Sequence, residues 1–179
     1  MNSDQYQLIL LRDEHLAELY RWNAAEKHME FYTCRPVSVK LTESAYIDKM
    51  RRAISSTTGS YYVLVADNHA MPLGKIRSFD YNPRNRSAEF GYYMPEQNRG
   101  NGLGSIMLPK FLEVSFTDEK YGLNKLYATT SSNNTASVRL LEKYGFKLDG
   151  RHREHYWIDG NRYDQLVYSI LRSEWKCQK

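Results

Sequence analysis

The stretch NRGNGLGS, Asn98 to Ser105, sets the narrowest condition on this chain. Glycines stand at every second position, Gly100, Gly102 and Gly104, where an alternating apolar run ends and a run of helical spacing begins. Glycine weakens helices and strands alike, so this density means that the backbone turns tightly or that something comes close to it. At the opening of a helix the first amides lack an intrahelical acceptor and point outward together, and the helix dipole adds to their pull on an anion. Without β-carbons at the three glycines, a pyrophosphate could reach the main chain. Taken alone, the spacing suits a phosphate cradle and a plain loop equally.

The flanking elements narrow the choice. YQLILLR reads as a strand and DEHLAELYRW as a helix with Leu16, Leu19 and Tyr20 on one face and Asp13 as its N-cap. Residues 24 to 41 show no period. Thr42 then caps ESAYIDKMRRAI, with Ala45, Ile47, Met50 and Ile54 on one side. YYVLVA, LGKIRSFDY and SAEFGYYM, separated by turns at DNHAMP and NPRNR, form a three-stranded antiparallel meander. After the glycines, LGSIMLPKFLEVSF carries Leu103, Met107, Phe111 and Leu112 in helical register, and Pro109 inside it costs up to ~3 kcal/mol unless the helix bends. LNKLYATT is a strand, and NNTASVRLLEKYG a helix capped by Asn134 and closed by Gly145. The rest reads as two long strands joined at Asp159, Gly160 and Asn161.

The order β, α, α, β, β, β, α, β, α, β, β predicts an α/β (α+β) fold, one mixed, mostly antiparallel sheet of about seven strands flanked by about four helices. The helix after the glycines links two strands expected to be parallel, and a ligand binds where such strands end and diverge.

Composition supports one domain over residues 1–179, with 41% hydrophobic residues and 15 tyrosines. The 25 Lys and Arg are interspersed with 21 Asp and Glu for a net charge of +4, so no basic stripe advertises nucleic acid, and a small RNA-binding module finds no clustered basic and aromatic face. No apolar run approaches membrane-spanning length and MNSDQYQLIL lacks the build of a signal peptide, which predicts a cytoplasmic protein without membrane contact. Cys34 and Cys177 stand far apart without metal-ligand spacing and read as free thiols.

The glycine stretch lacks the Lys-Ser/Thr ending of a P-loop, and the meander before it is not the setting of a dinucleotide fold. It does carry Arg-x-x-Gly-x-Gly in Arg99, Gly102 and Gly104, and NNTASVRLLEKYGF follows with Asn134, Ser137, Gly145 and Phe146. On these two motifs in this order the chain resembles the GNAT superfamily of N-acetyltransferases. Its tail DGRHREHYWIDGNRYDQLVYSILRSEW is similar to the RimJ/RimL-like branch and to the amino-sugar N-acetyltransferases near it.

The resemblance implies acetyl-CoA as co-substrate, no metal, and a binding site made of Tyr93, Met94, Arg99, Gly100, Asn101, Gly102, Leu103, Gly104, Ser105 and Asn134. An amine with a pKa near ~10 must lose a proton before it attacks a thioester, so a base is required. Alternation in SAEFGYYM puts Ala88, Phe90, Tyr92 and Met94 on one face and Glu89, Gly91 and Tyr93 on the other, which makes Glu89 the candidate base, or else a partner for Arg77 or Arg86 on neighbouring strands. By resemblance, an amide near Tyr93 or Met94 would hold the oxyanion, and the pantetheine arm would lie along the strand ending at Met94, in a gap made by a β-bulge. Relatives with a tyrosine general acid place it where this chain has Leu141, and Tyr144 is out of phase with that position. The resemblance to the RimL-like branch implies Ser137, in its Asn-x-x-Ser motif, as the donor to the departing sulfur; otherwise Asn134 and Ser137 are an ordinary helix cap.

Direct attack is expected rather than an acyl-cysteine route, because Cys34 lacks a paired histidine. His152 and His155 should face opposite sides of a strand and cannot share an ion without a bulge. By resemblance, Trp22, Met29, Tyr32, His155 and Tyr156 fall in segments that cover the amine in this family, or else each simply fills core or surface. The acceptor is a small amine or amino sugar, or a protein N-terminus, and family analogy adds a homodimer through the C-terminal strands. A non-catalytic acyl-CoA-binding sensor is the alternative.

Overall fold

The computed structural model describes residues 2–31, 33–34, 40–56, 59–67 and 69–176. Seven strands among them, β1 (Tyr6–Leu10), β2 (Tyr61–Ala66), β3 (His69–Asn82), β4 (Ser87–Tyr93), β5 (Lys125–Ser131), β6 (Lys147–Ile158) and β7 (Asn161–Leu171), form one sheet in the order β1-β2-β3-β4-β5-β7-β6. Its pairings are antiparallel except that of β4 with β5. The helices are α1 (Leu16–Ala25), α2 (Glu43–Ile54), α3 (Leu103–Thr117), α4 (Thr135–Lys143) and a short α5 (Arg172–Lys176). The element order and the parallel crossover through α3 follow the sequence pattern, and α5 is the addition.

Alternation along the strands divides the apolar residues between two faces. Phe90 of β4 packs its ring against Phe111 of α3 and Phe146 after α4, at centroid distances of 5.5 and 5.4 Å. Met107, Leu126 and Leu141 complete that core. On the other face, α1 and α2 cover Val63 and Val65 with Leu16, Leu19, Trp22 and Tyr46. Tyr93, odd-numbered in β4, joins this second cluster. Burying each such large apolar side chain contributes about 1.5–3 kcal/mol, so β4 is anchored from both sides just before the glycine turn.

Local differences from the sequence reading have physical causes. Asp13 does not cap α1; it opens a 3-10 turn, Asp13–His15, and pairs with Arg51 of α2 at 2.6 Å. β3 begins at His69, so DNHAMP contributes mostly strand rather than turn. The β6–β7 turn is tight because Asp159 and Gly160 both hold positive φ, 47° and 75°, as a two-residue hairpin requires. In β6 the register shifts between His152 and Tyr156, and Glu154 adopts φ 52°. This irregularity brings His152 and His155 to a ring separation of 5.8 Å, against the expectation that they face apart. Among the described residues no helix is long and apolar enough to cross a membrane.

His15 carries a pH dependence. Its ring is 2% exposed, Nδ1 accepts the Arg12 amide at 3.1 Å, and Nε2, 3.6 Å from Glu14 Oε1, has no hydrogen-bond partner among the described residues. Burial, reinforced by Arg12 and opposed by Glu14, holds its pKa below 6.5. The unfolded chain therefore binds the proton first as pH falls: stability is full above 6.5 and lost from there down to the lowered value. Melting temperature measured from about pH 7.5 to about pH 5.5 should fall in the wild type and flatten in His15→Asn.

Candidate active site

β4 and β5 pair at only three positions, Ser87 with Lys125, Ala88 with Leu126 and Glu89 with Tyr127. Beyond Glu89, β4 stays on β3 as far as Tyr93, and β5 stays on β7 as far as Ser131. The strands therefore part, and a cavity of about 380 Å³ opens between Gly91–Met94 and Ala128–Thr130. The expected bulge in β4 is not what makes the gap: its register with β3 is unbroken from Glu89 to Tyr93, and divergence of the parallel pair does the work.

The glycine turn forms one wall. Gly100 and Gly102 hold φ of 77° and 68°, conformations that an L side chain rarely adopts, and a β-carbon on either would meet nothing within 4 Å. Gly104 has a different reason to be glycine: a β-carbon there would lie 3.2 Å from Leu140 Cδ2, so it serves the packing of α3 on α4. The Ser105 amide bonds Gly102 O at 2.9 Å. The amides of Gly100, Asn101, Gly102, Leu103 and Gly104 have no acceptor among the described residues. All of these residues except Asn101 line the cavity.

Arg99 lines the cavity and is also tied into the protein. Its Nε donates to Met94 O at 2.9 Å and its Nη2 to Glu26 Oε2 at 2.6 Å, so the guanidinium closes the loop onto the end of α1. Glu26 is 9% exposed and also accepts the Tyr93 hydroxyl at 2.8 Å and the His28 amide at 3.1 Å. Burial alone would raise this carboxyl, but the His28, Tyr93 and Arg99 donors outweigh it and hold the pKa below 4.5. Lys143 also reaches the helix start, where its Nζ donates to Ser105 Oγ at 3.2 Å. Tyr144 donates its hydroxyl to Ser105 O, which fixes the first turn of α3. Lys75, across from Tyr93 in the ladder, places Nζ 5.3 Å from that ring, and burial with the neighbouring Arg77 lowers its pKa to about 8.

Glu89 is half-buried beside the cavity rather than in its wall. Its Oε1 accepts the Thr129 hydroxyl at 3.1 Å, and Thr129 does line the cavity. Arg77, one of its two envisaged partners, spreads its guanidinium over Phe79 and bonds the Tyr61 hydroxyl. Tyr156 lines the cavity close to Glu89; burial is the main cause of its phenol rising to about 12, with the Cys34 and Glu89 charges adding.

Asn134 and Ser137 stand where α4 opens into the cavity. Asn134 Oδ1 accepts the Ser137 amide at 3.2 Å as an N-cap, and Ser137 Oγ accepts the Tyr92 hydroxyl at 2.9 Å. Alternation assigns Tyr92 to the core face, yet its phenol tip reaches the cavity. Trp22 is 4% exposed, packs on Tyr93 and donates to Glu18, so it is a core residue. Met29 sits in a 3-10 turn, Met29–Phe31, whose Phe31 lines the cavity; Tyr32 and Cys177 lie outside the described residues. Cys34 is exposed and its sulfur accepts from Gln165 at 3.2 Å. His28, Glu30 and Asp159 bring ligand atoms within 4.8 Å of one another on the surface.

The family profile described as Acetyltransferase (GNAT) domain matches residues 7–147. "Putative ribosomal N-acetyltransferase YdaF" of Bacillus subtilis (strain 168) is 27% identical over 149 residues, 83% of this chain and 79% of that protein. Spermidine N(1)-acetyltransferase of Vibrio cholerae is 29% identical over 112 residues, 63% of this chain and 64% of that protein. A crystal structure of spermidine N-acetyltransferase from Vibrio cholerae, in complex with CoA and spermine, superposes with a TM-score of 0.85 at 22% identity over 97% of this chain and 99% of that one.

Proposed function

Because the chain belongs to the acetyltransferase (GNAT) domain family, we propose that it transfers an acetyl group from acetyl-CoA to a primary amine by direct attack. The observation that carries this reading is the row of five consecutive amides, Gly100 to Gly104, without acceptors among the described residues at the mouth of a cavity between parting strands. Such a row at a helix start suits a diphosphate, with Lys143 adding positive charge nearby. The pantetheine arm would lie along β4 beyond Glu89, where amides and carbonyls facing β5 have lost their ladder partners.

The attacking amine loses its proton to Glu89, reached through water or the Thr129 hydroxyl. An amide at Tyr93 or Met94 holds the oxyanion of the tetrahedral intermediate, and Ser137 faces the departing sulfur. The acceptor is a small amine, an amino sugar or a protein N-terminus; relatives named for spermidine and for ribosomal acetylation support amines of both small and protein origin.

Thiol release from acetyl-CoA, followed with spermidine, an amino sugar and a peptide N-terminus in turn, tests the reading. Release above the no-amine rate with one acceptor class supports it. Tight coenzyme binding without release under any acceptor identifies a sensor instead.

Glu26→Gln should weaken acetyl-CoA binding about tenfold, because the loss of charged hydrogen bonds to Arg99 and Tyr93, about 1.5–3 kcal/mol, is felt in the glycine turn. Calorimetry with coenzyme A checks it, and unchanged affinity would detach Glu26 from the cofactor wall. The wild-type clasp keeps its charge down to the lowered carboxyl pKa, and the stability it contributes is full above 4.5 and lost as pH falls from there through the lowered value.

A further inference from the structure

Tyr92 of β4 and Ser137 of α4 meet across the cavity, and the direction of their hydrogen bond is informative. The phenol donates and Ser137 Oγ accepts, at 2.9 Å. The Ser137 amide is fixed in turn by Asn134 Oδ1. Ser137 stands in the first turn of α4, and its proton has no protein acceptor among the described residues. The serine therefore presents a donor to the cavity while a second donor stands behind it. One turn later Leu141 is fully buried in the core and offers no proton at all.

We propose that Tyr92 is a positioning residue that delivers acidity through Ser137 to the sulfur of the leaving coenzyme, an inference that rests on the acetyl-CoA reading above. An aliphatic hydroxyl is a poor acid by itself, whereas a phenol titrates near ~10. When the tetrahedral intermediate collapses, the carbon–sulfur bond breaks and its electron pair goes to sulfur. Sulfur takes the Ser137 proton and the Ser137 oxygen takes the Tyr92 proton. The resulting tyrosinate is refilled through solvent by the proton that the attacking amine released, so the cycle conserves protons. Burial pushes the Tyr92 phenol above 10, only partly offset by its bond to Ser137, which keeps it protonated at neutral pH.

The test compares wild type, Tyr92→Phe, Ser137→Ala and the double variant in kcat, acetyl-CoA dissociation constant and pH profile. Wild-type kcat should fall at alkaline pH as the phenol ionises; Tyr92→Phe should lower kcat at least about tenfold with acetyl-CoA affinity held within about twofold, and should abolish that alkaline fall. The double variant should match Ser137→Ala, because two members of one relay are not additive. Ser137→Ala must abolish the same alkaline limb, which keeps the proposal open to refutation if Tyr92→Phe does not fold. Wild-type kcat in Tyr92→Phe, a loss matched by an equal loss of affinity, or multiplying effects in the double variant would each overturn the relay alone. A wild type that releases no thiol with any amine overturns the transferase reading and the relay together.

Discussion

Gly102→Val is expected to weaken acetyl-CoA binding about a hundredfold or more, equivalent to roughly 2.7 kcal/mol, while the protein still folds. Gly102 caps α3 with φ 68°, and a β-branched residue in that region is strained by at least ~1–2 kcal/mol. Two responses are open to the chain, and each damages binding. If the backbone keeps its shape, the new side chain stands in open space at the cavity mouth, where the diphosphate is proposed to lie. If φ relaxes to a negative value, the amides from Gly100 to Gly104 lose their common direction. Calorimetry with coenzyme A measures the loss, and a melting curve confirms the fold. Affinity equal to wild type would move the cradle elsewhere. Gly104→Ala is the contrast: its β-carbon presses on Leu140 rather than on the cavity, so it should change stability before affinity.

Glu89→Gln should reduce kcat by about a hundredfold and leave acetyl-CoA affinity unchanged, the size typical of a lost general base. Glutamine keeps the length of the side chain and an oxygen for the Thr129 hydroxyl, so the walls of the cavity stay in place. What disappears is the capacity to take a proton. The acid limb of the kcat profile should vanish with it, and a variant whose pH profile overlays the wild type would dismiss Glu89 as the base. Because Glu89 stands behind Thr129 rather than in the wall, Thr129→Val gives a second view. A proton path through that hydroxyl predicts a partial loss there as well.

The framework of this fold is legible in the sequence because it rests on local signals. The turn between strand and α3 shows in its glycines, and α4 shows in an asparagine cap and a closing glycine, both of which act within a few residues. The features that escaped are long-range or depend on a side chain's reach. Arg99 looks like an anion ligand in the linear pattern, and nothing near it reveals Glu26, seventy-three positions away, as its partner. Period-two alternation assigns Tyr92 to the core face correctly, but says nothing of where a long side chain ends. The closeness of His152 and His155 depends on a positive φ at Glu154, a residue type that gives no warning of it.

The brevity of the β4–β5 seam has a mechanical consequence. Three residue pairs are all the backbone ladder that joins a four-stranded slab to a three-stranded one, so beyond them the slabs are held by the core under Phe90 and Leu126 and not by the sheet itself. A molecule wedged into that fork bonds to both and acts as mortar between them. Occupancy should therefore register throughout the scaffold, with the melting temperature climbing as the logarithm of coenzyme concentration.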